Sequence, residues 1–401
     1  MARSGKGAAL GLLALLGALT AFDSISIDMY LPAFTAIEAD LHLPSGTMPM
    51  SLSVFLIGLA VGQAISGPVA DSLGRRLPLL AGIILFSAAS CLVAVSSNMT
   101  MLMIGRFFQG LGGATGLVIP RAIVSDLYEA KQATKIFTFL IQVQSISPIL
   151  APLLGGILLN FMGWRAIFWV LAGLGLIAFC FAQPCVPETQ PVQSRTRLTF
   201  SAILTSYWEL LKNRRYRGMA LAGGLIMGTL FGYISVSSFM FMTYFSLSPS
   251  AYSFIFAAVS IGMIVVGQVN MYLCTRMDVR RNLCLGFVIH LFFLALLLAA
   301  VLFGFDSLEV VCGLLLLAIS SLSLLFGGLT SETMYSVSPG KAGAASALFG
   351  VVQYAFGGGA GIILGVIHNN TLLPPIVLLC GCSVLALLCW GLSSGLERPA
   401  E

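Results

Sequence analysis

Long apolar runs separated by short polar turns repeat from one end of the chain to the other. A helix needs about 20 mostly apolar residues to cross the hydrocarbon layer of a membrane. Runs of that length cover residues 8–34, 47–70, 78–96, 100–124, 134–160 and 165–184, and then 218–243, 251–274, 283–304, 309–334, 343–367 and 374–394. Ser and Gly dilute the second, fourth, tenth and eleventh of these without interrupting them. Between the sixth and the seventh lies a long polar interval from Cys185 to Arg217, with Pro187, Pro191, Arg195, Arg197, Lys212, Arg214, Arg215 and Arg217. The pattern predicts an all-α membrane protein of twelve transmembrane helices in two six-helix bundles. The N-terminal bundle is 1–184, a cytoplasmic linker is 185–217, and the C-terminal bundle is 218–401. Leu198–Leu211 fits either a short amphipathic helix on the membrane surface or a plain linker. Arg3 and Lys6 ahead of the first run resemble the start of a signal peptide. The run continues past Asp23 and Asp28 to Phe34, too long for a signal core, so it reads as a retained first helix.

Composition supports the same class. The chain is 58% hydrophobic and only 9% charged, against about 25% charged in soluble domains, so bilayer rather than water is its natural solvent. The nine cysteines lie mostly inside apolar runs and imply neither a disulfide framework nor a metal spacing.

Charge placement sets orientation. With the N-terminus in the cytoplasm, the inner segments hold Arg3, Lys6, Arg75, Arg76, Arg121, Lys131, Lys135, the basic residues of the central interval, Arg276, Arg280, Arg281, Lys341 and Arg398. The outer loops then hold only Arg165 among the Lys and Arg residues. This skew places both termini in the cytoplasm. A faint repeat also emerges. Asp71-Ser72-Leu73-Gly74-Arg75-Arg76 joins helices 2 and 3, and Arg276-Met277-Asp278-Val279-Arg280-Arg281 joins helices 8 and 9, with Asp71 and Arg276 205 residues apart. Two halves related by an axis along the membrane normal are a known transporter plan.

Of 15 acidic residues, only Asp23 and Asp28 lie well inside a predicted span, and Arg106 is the basic residue that does so. Buried charge is expensive in hydrocarbon, so such groups pair, face a cavity or take up protons. Asp28 lies six residues before Phe34 on an outward helix, and Arg106 six residues after Thr100 on an inward one. The two charges are therefore expected at similar depth. Asp23 is five residues deeper, about 7.5 Å, on another side of its helix. A carboxylate alternately paired and protonated is what proton coupling requires. A static ion pair and a water-exposed helix end are the other readings of the same residues. Asp71, Arg75 and Arg76 sit in a tight turn, which fits a charge lock between helix ends or simple anchoring. Gly155 and Gly156 follow Pro148 and Pro152 on helix 5, where small residues allow close approach and proline breaks the ladder. Tyr30, Gln63, Gln109, Gln142, Gln144, Tyr233, Gln268, Asn270, His290 and Gln353 could line a cavity or bond between helices. No nucleotide-binding loop, zinc spacing or nucleophile constellation occurs, so no cofactor, no metal and no enzymatic activity is expected, and nucleic-acid binding has no support.

These motifs together resemble the major facilitator superfamily, and within it the drug:proton antiporters of the bicyclomycin and chloramphenicol resistance branch. Helix 1 ends with Asp28-Met29-Tyr30-Leu31-Pro32-Ala33. Gly67-Pro68-Val69-Ala70-Asp71-Ser72-Leu73-Gly74-Arg75-Arg76 is similar to the superfamily's loop 2–3 motif, with Ser72 where arginine is usual. Arg106-Phe107-Phe108-Gln109-Gly110 resembles its embedded-arginine motif, and Arg121 to Asp126 follows in the expected place. Ala151-Pro152-Leu153-Leu154-Gly155-Gly156 resembles the antiporter motif of helix 5, with Ala151 where many antiporters have glycine. Gly163-Trp164-Arg165, Val186-Pro187-Glu188-Thr189 and Gly343 to Leu348 also fit. The resemblance implies a proton-coupling Asp28 with Arg106 as partner, and a conformational charge lock of Asp71, Gly74, Arg75, Arg76, Arg121 and Asp126. It implies a bacterial inner-membrane protein whose partners are a small-molecule substrate, protons and lipid, acting as a monomer. Asp23 lies outside the family pattern. The leading expectation is export of drug-like or amphipathic compounds. The alternatives are transport of a metabolite such as an amino acid, dipeptide or nucleoside, and a non-transporting receptor. A channel would need rings of pore-lining charge, which the sequence lacks.

Overall fold

A computed structural model describes residues 2–190, 200–337, 341–367, 369 and 371–395. Pro191, Arg195, Arg197 and Arg398, named in the sequence reading, lie outside the described residues. The first apolar run forms α1 (Ala2–Thr20), α2 (Phe22–Asp28), a 3₁₀ turn (Leu31–Ala33) and α3 (Phe34–Asp40). Then come α4 (Pro49–Leu73), α5 (Arg76–Ala94), α6 (Met99–Leu127), α7 (Ala130–Met162), α8 (Trp164–Cys185), α9 (Phe200–Lys212) and α10 (Arg214–Ser238). A π turn, Phe239–Tyr244, extends α10. The chain continues with α11 (Pro249–Cys274), α12 (Val279–Leu302), α13 (Leu308–Ser321), α14 (Ser323–Met334), α15 (Ala342–Val366) and α16 (Leu373–Ser394). Among the described residues 11 helical stretches are long and apolar enough to cross a membrane, with α13 and α14 sharing one. The first run, Gly11–Thr20 with Phe22–Asp40, is bent by 41° and makes a twelfth when its two pieces are counted as one span. The protein is thus an all-helical, many-spanning membrane protein, as the sequence pattern predicts. Side chains such as Ile157, Phe181, Phe254, Val288 and Leu385 are more than half exposed on spanning helices and supply the apolar surface that lipid requires.

The first span is broken where a single helix is expected at 8–34. Thr20 Oγ1 donates to Gly17 O (2.8 Å) and Ser26 Oγ to Phe22 O (2.6 Å), so hydroxyls compete for the helical carbonyls. Pro32 has no N–H to donate to Asp28 O. Ala33 N donates instead to Tyr30 O (3.0 Å), which tightens the turn beside Asp28.

The chain divides into two compact units, Met1–Leu43 with Val54–Phe200, and Pro44–Ser53 with Ser201–Glu401. Within 185–217, expected as linker, α9 belongs to the second unit, and α10 starts at Arg214 rather than 218. One face of α9 is buried through Leu210, which joins Tyr216, Ala220, Ala345, Leu348 and Phe349. Leu204 and Trp208, one turn apart on the other face, are exposed. The segment is therefore helical from Phe200 to Lys212 rather than a plain linker.

In the first unit α4 and α6 cross with no room for side chains between them. A methyl on Gly58 would overlap Phe107 O, and one on Gly110 would overlap Phe55 O. Gly110→Val is expected to cost about 1–3 kcal/mol through overpacking. It should lower the melting temperature of the purified protein, read by the intrinsic fluorescence of the Trp residues, whereas Gly173→Ala, with open space around it, should not.

Candidate functional site

The turn that ends α2 holds Asp28, Met29 and Tyr30 in the interior of the first unit, all buried. On the facing side α6 presents Arg106, completely buried. Its guanidinium carbon lies 4.2 Å from the centre of the Phe55 ring, 4.5 Å from that of Tyr30 and 5.9 Å from that of Phe168. Cation–π contacts of a desolvated arginine are worth about 2 kcal/mol or more, which offsets part of its burial. Nη1 donates to Ser26 O (3.2 Å) and to Gln109 Oε1 (2.6 Å). Gln109 Nε2 in turn donates to Ser90 Oγ (2.8 Å), and Ser90 Oγ donates to Phe86 O (2.7 Å). The sequence-predicted Gln109 and Tyr30 are therefore arginine-holding residues.

Arg106 and Asp28 are not joined. Among the described residues no ion pair links them, and Arg106 Nε and Nη2 are buried without a hydrogen-bond partner. Similar depth on two helices does not fix where a guanidinium points. Here Nη1 is taken by Ser26 O and Gln109, and the plane is clamped by rings. The Nε/Nη2 edge left over is the side on which arginine grips a carboxylate with two parallel bonds.

Asp23 sits five residues earlier in α2, also buried, with Gln144 Nε2 of α7 at 3.4 and 3.5 Å from its two oxygens. The helix-5 motif meets the same turn. Gly155 of α7 lies against Met29 O, where any side chain would collide, and Pro148 and Pro152 are carried inside α7, with Gly156 buried beside them. The antiporter-like motif thus abuts the residue next to Asp28.

The loop 2–3 motif forms a second cluster at the other end of α4. Gly74 takes φ 92°, a backbone that suits glycine and lets the chain turn directly into α5. Arg75 binds Asp71 through Nη1 and Asp126 through Nε (3.1 Å). Asp126 also accepts from Thr189 Oγ1 (2.7 Å). Glu188 accepts from the backbone N–H groups of Arg75 (2.9 Å) and Arg76 (3.4 Å), which caps α5 with a remote carboxylate at the positive end of its dipole. Arg76 donates to Gln183 O (2.5 Å), and Gln190 Nε2 to Asp71 O (3.1 Å). Arg121 is exposed and makes no ion pair among the described residues, so the structure does not bring it into the cluster. Glu188, Thr189 and Gln190 join it; Glu188 and Thr189 belong to the Val186–Thr189 motif that fits the family resemblance, and Gln190 had no sequence signal. Arg75→Ala removes two charged hydrogen bonds worth about 1.5–3 kcal/mol each. Transport should fall severalfold while the protein still reaches the membrane, measured by uptake and immunoblot of the same membranes, and Asp71→Asn should lose less.

The remaining candidates scatter. Gln63 and Gln353 are half-buried, and Gln142 and Gln268 are exposed. Asn270 donates to Ser323 O (3.0 Å), and Asn282 donates to Asn270 (2.6 Å). Tyr233 is buried on Phe256, ring centres 6.2 Å apart, with its hydroxyl unpartnered. His290 is fully buried and engaged at both nitrogens, Nδ1 with Ala318 O (2.9 Å) and Ser321 Oγ (3.0 Å), and Nε2 with Ser383 Oγ (2.9 Å). That environment ties three helices together and matches the structural reading of His290.

Residues 16–362 match the Major Facilitator Superfamily. A bicyclomycin resistance protein homolog of Haemophilus influenzae is 26% identical over 385 residues, 94% of each chain. An uncharacterized MFS-type transporter of Bacillus subtilis, YdgK, is 35% identical over 265 residues, 65% of this chain and 66% of its own length. Among solved structures a point mutant of the nucleoside transporter NupG superposes with a TM-score of 0.74 at 16% identity, covering 95% of this chain and 98% of that one, which supports the fold. The ordered motifs and the named relatives align the chain with the drug:proton antiporter branch of bicyclomycin and chloramphenicol resistance type. With residues 16–362 matched and 11 to 12 candidate spans, this chain belongs to the Major Facilitator Superfamily.

Proposed function

We propose that the protein is a proton-coupled antiporter that exports small, partly hydrophobic compounds across the bacterial inner membrane by alternating access, and that Asp28 carries the proton. Its relatives include proteins named for bicyclomycin, chloramphenicol and multidrug resistance. The observation that carries the reading is an Asp28 buried in the same unit as an Arg106 whose Nη1 bonds Ser26 O, two residues from Asp28, and whose Nε/Nη2 edge has no partner. Protonation removes the charge from Asp28, and release of the proton restores a carboxylate that this edge can grip. One unit then has two arrangements of different energy, which a proton gradient can bias. Tyr30, Phe55 and Phe168 hold the guanidinium in place in both. Asp23, held by Gln144, shapes the same interior and is a secondary proton site. The loop 2–3 cluster locks helix ends in one arrangement. The chain is a transporter rather than an enzyme, and we take the monomer as its working form.

The substrate class is tested by a panel in everted membrane vesicles. Uptake of amphipathic drugs that collapses when the pH gradient is dissipated supports the proposal. Gradient-driven movement of amino acids, dipeptides or nucleosides with no drug uptake would replace it by the metabolite reading.

Orientation is the second element. Both termini and the 185–217 segment, including the exposed Lys212, Arg214 and Arg217, are assigned to the cytoplasm by the charge skew. A phosphatase reporter fused after Arg217 is expected to be inactive and a cytoplasmic reporter at the same site active. Phosphatase activity there would reverse the topology.

A further inference from the structure

The second unit has its own charged cluster at the ends of α10, α12, α14 and α16, and it is built differently from the one around Arg75. Arg280 occupies the repeat position of Arg75, and Arg276 that of Asp71. Arg75 therefore has a carboxylate one turn back, while Arg280 has another arginine there. Arg75 reaches a second carboxylate, Asp126. The comparable acid in the second unit, Glu332 at the end of α14, is taken by Arg215 of α10 (Nη2 to Oε2, 2.9 Å), and both side chains are largely buried. Arg280 is left with one hydrogen bond, to Ser394 Oγ (3.3 Å), and makes no ion pair among the described residues. Arg215, Arg280, Glu332, Trp390 and Ser394 surround a cavity of about 230 Å³. Two guanidiniums and one carboxylate among the lining residues leave that cavity with an excess positive charge, and the turn beside it carries Arg276 and Arg281 against one acid, Asp278.

Hydrogen bonds and ring packing tie the helix ends around the cavity. Asn213 caps α10 by accepting from Arg215 N (3.0 Å) and Tyr216 N (3.2 Å), and its own amide donates to Ser336 O (3.0 Å) beyond α14. Trp390 packs on Phe287, ring centres 5.5 Å apart. The site lies at helix ends, and the apolar Leu392, two residues from Ser394, is 80% exposed. The cavity thus lies at the ends of four helices, with arginine forks that match phosphate oxygens.

We propose that this cavity is an anion site for a phosphate group, gripped by Arg280 and Arg215, supplied either by the headgroup of an anionic phospholipid or by a free phosphate compound. It is a site of the second unit alone and does not require Asp28 to be the proton carrier. Protein purified in detergent is mixed with phosphatidylglycerol or phosphatidylcholine and examined by native mass spectrometry, with inorganic phosphate as competitor. Selective retention of phosphatidylglycerol is expected. Arg280→Gln should weaken it about tenfold or more, as loss of a charged hydrogen-bond donor pair predicts. Arg276→Gln, outside the cavity, should change it less than about twofold, and Arg280→Lys should fall between. Retention that inorganic phosphate cannot displace assigns the site to a lipid headgroup. Displacement by phosphate, or phosphate binding without lipid selectivity that Arg280→Gln removes, assigns it to the free anion. Equal losses in Arg276→Gln and Arg280→Gln reduce the effect to general surface charge and overturn the proposal. No phosphate binding together with equal retention of the two lipids overturns it as well.

Discussion

Asp28→Asn is expected to abolish substrate movement driven by a pH gradient, to below about one hundredth of the native rate, while substrate binding persists. Asparagine has nearly the shape of protonated aspartic acid, and Asp28 makes no ion pair among the described residues that the amide would break. Folding should therefore survive. What disappears is the charge that alternates. The substitution freezes the unit in the arrangement of the neutral acid, so a gradient has nothing to act on. Everted vesicles give the rate, and equilibrium binding of a labelled substrate gives the other half of the expectation. Asp23→Asn should reduce transport less, because Gln144 can rebond to an amide.

Arg106→Ala is expected to eliminate transport and also to destabilise the first unit. The guanidinium fills the space between Phe55 and Tyr30, and Gln109 and Ser90 are arranged around it. Removing it leaves a cavity, an unfilled Gln109 acceptor and no cation for Asp28. Cation–π loss alone is about 2 kcal/mol. Arg106→Lys keeps a charge but lacks the planar fork and the Nε/Nη2 edge. It should retain the fold, read as a melting temperature near native, while transport falls about tenfold or more. Equal transport in Arg106→Lys and native protein would show that a point charge suffices and that the two-toothed edge is irrelevant.

The spans and their order were legible because lipid imposes one requirement on every residue of a crossing helix. What the sequence could not carry was direction within the bundle. Depth along two helices predicts Asp28 and Arg106 at a similar level, and Arg106 bonds Ser26 O, two residues from Asp28. It could not place the guanidinium, whose orientation is decided by Phe55 on α4 and Phe168 on α8, residues with no signal of their own. The break in the first span follows from Thr20, Ser26 and Pro32, each ordinary in isolation. Glu188 capping α5 from 112 residues away is a tertiary contact that no local pattern reports. The repeat at Arg75 and Arg280 was visible, but its meaning came from the partners, carboxylates in one unit and a largely uncompensated arginine in the other.

Proton release on substrate binding tests the role of Asp28 most directly. Substrate is added to detergent-solubilised protein in weakly buffered solution containing a pH indicator, with native protein and Asp28→Asn compared at equal occupancy. The native protein should release protons in proportion to bound substrate, and Asp28→Asn should bind substrate and release none. Release from Asp28→Asn equal to that of the native protein would contradict the assignment and move the proton to Asp23 or to a residue of the second unit.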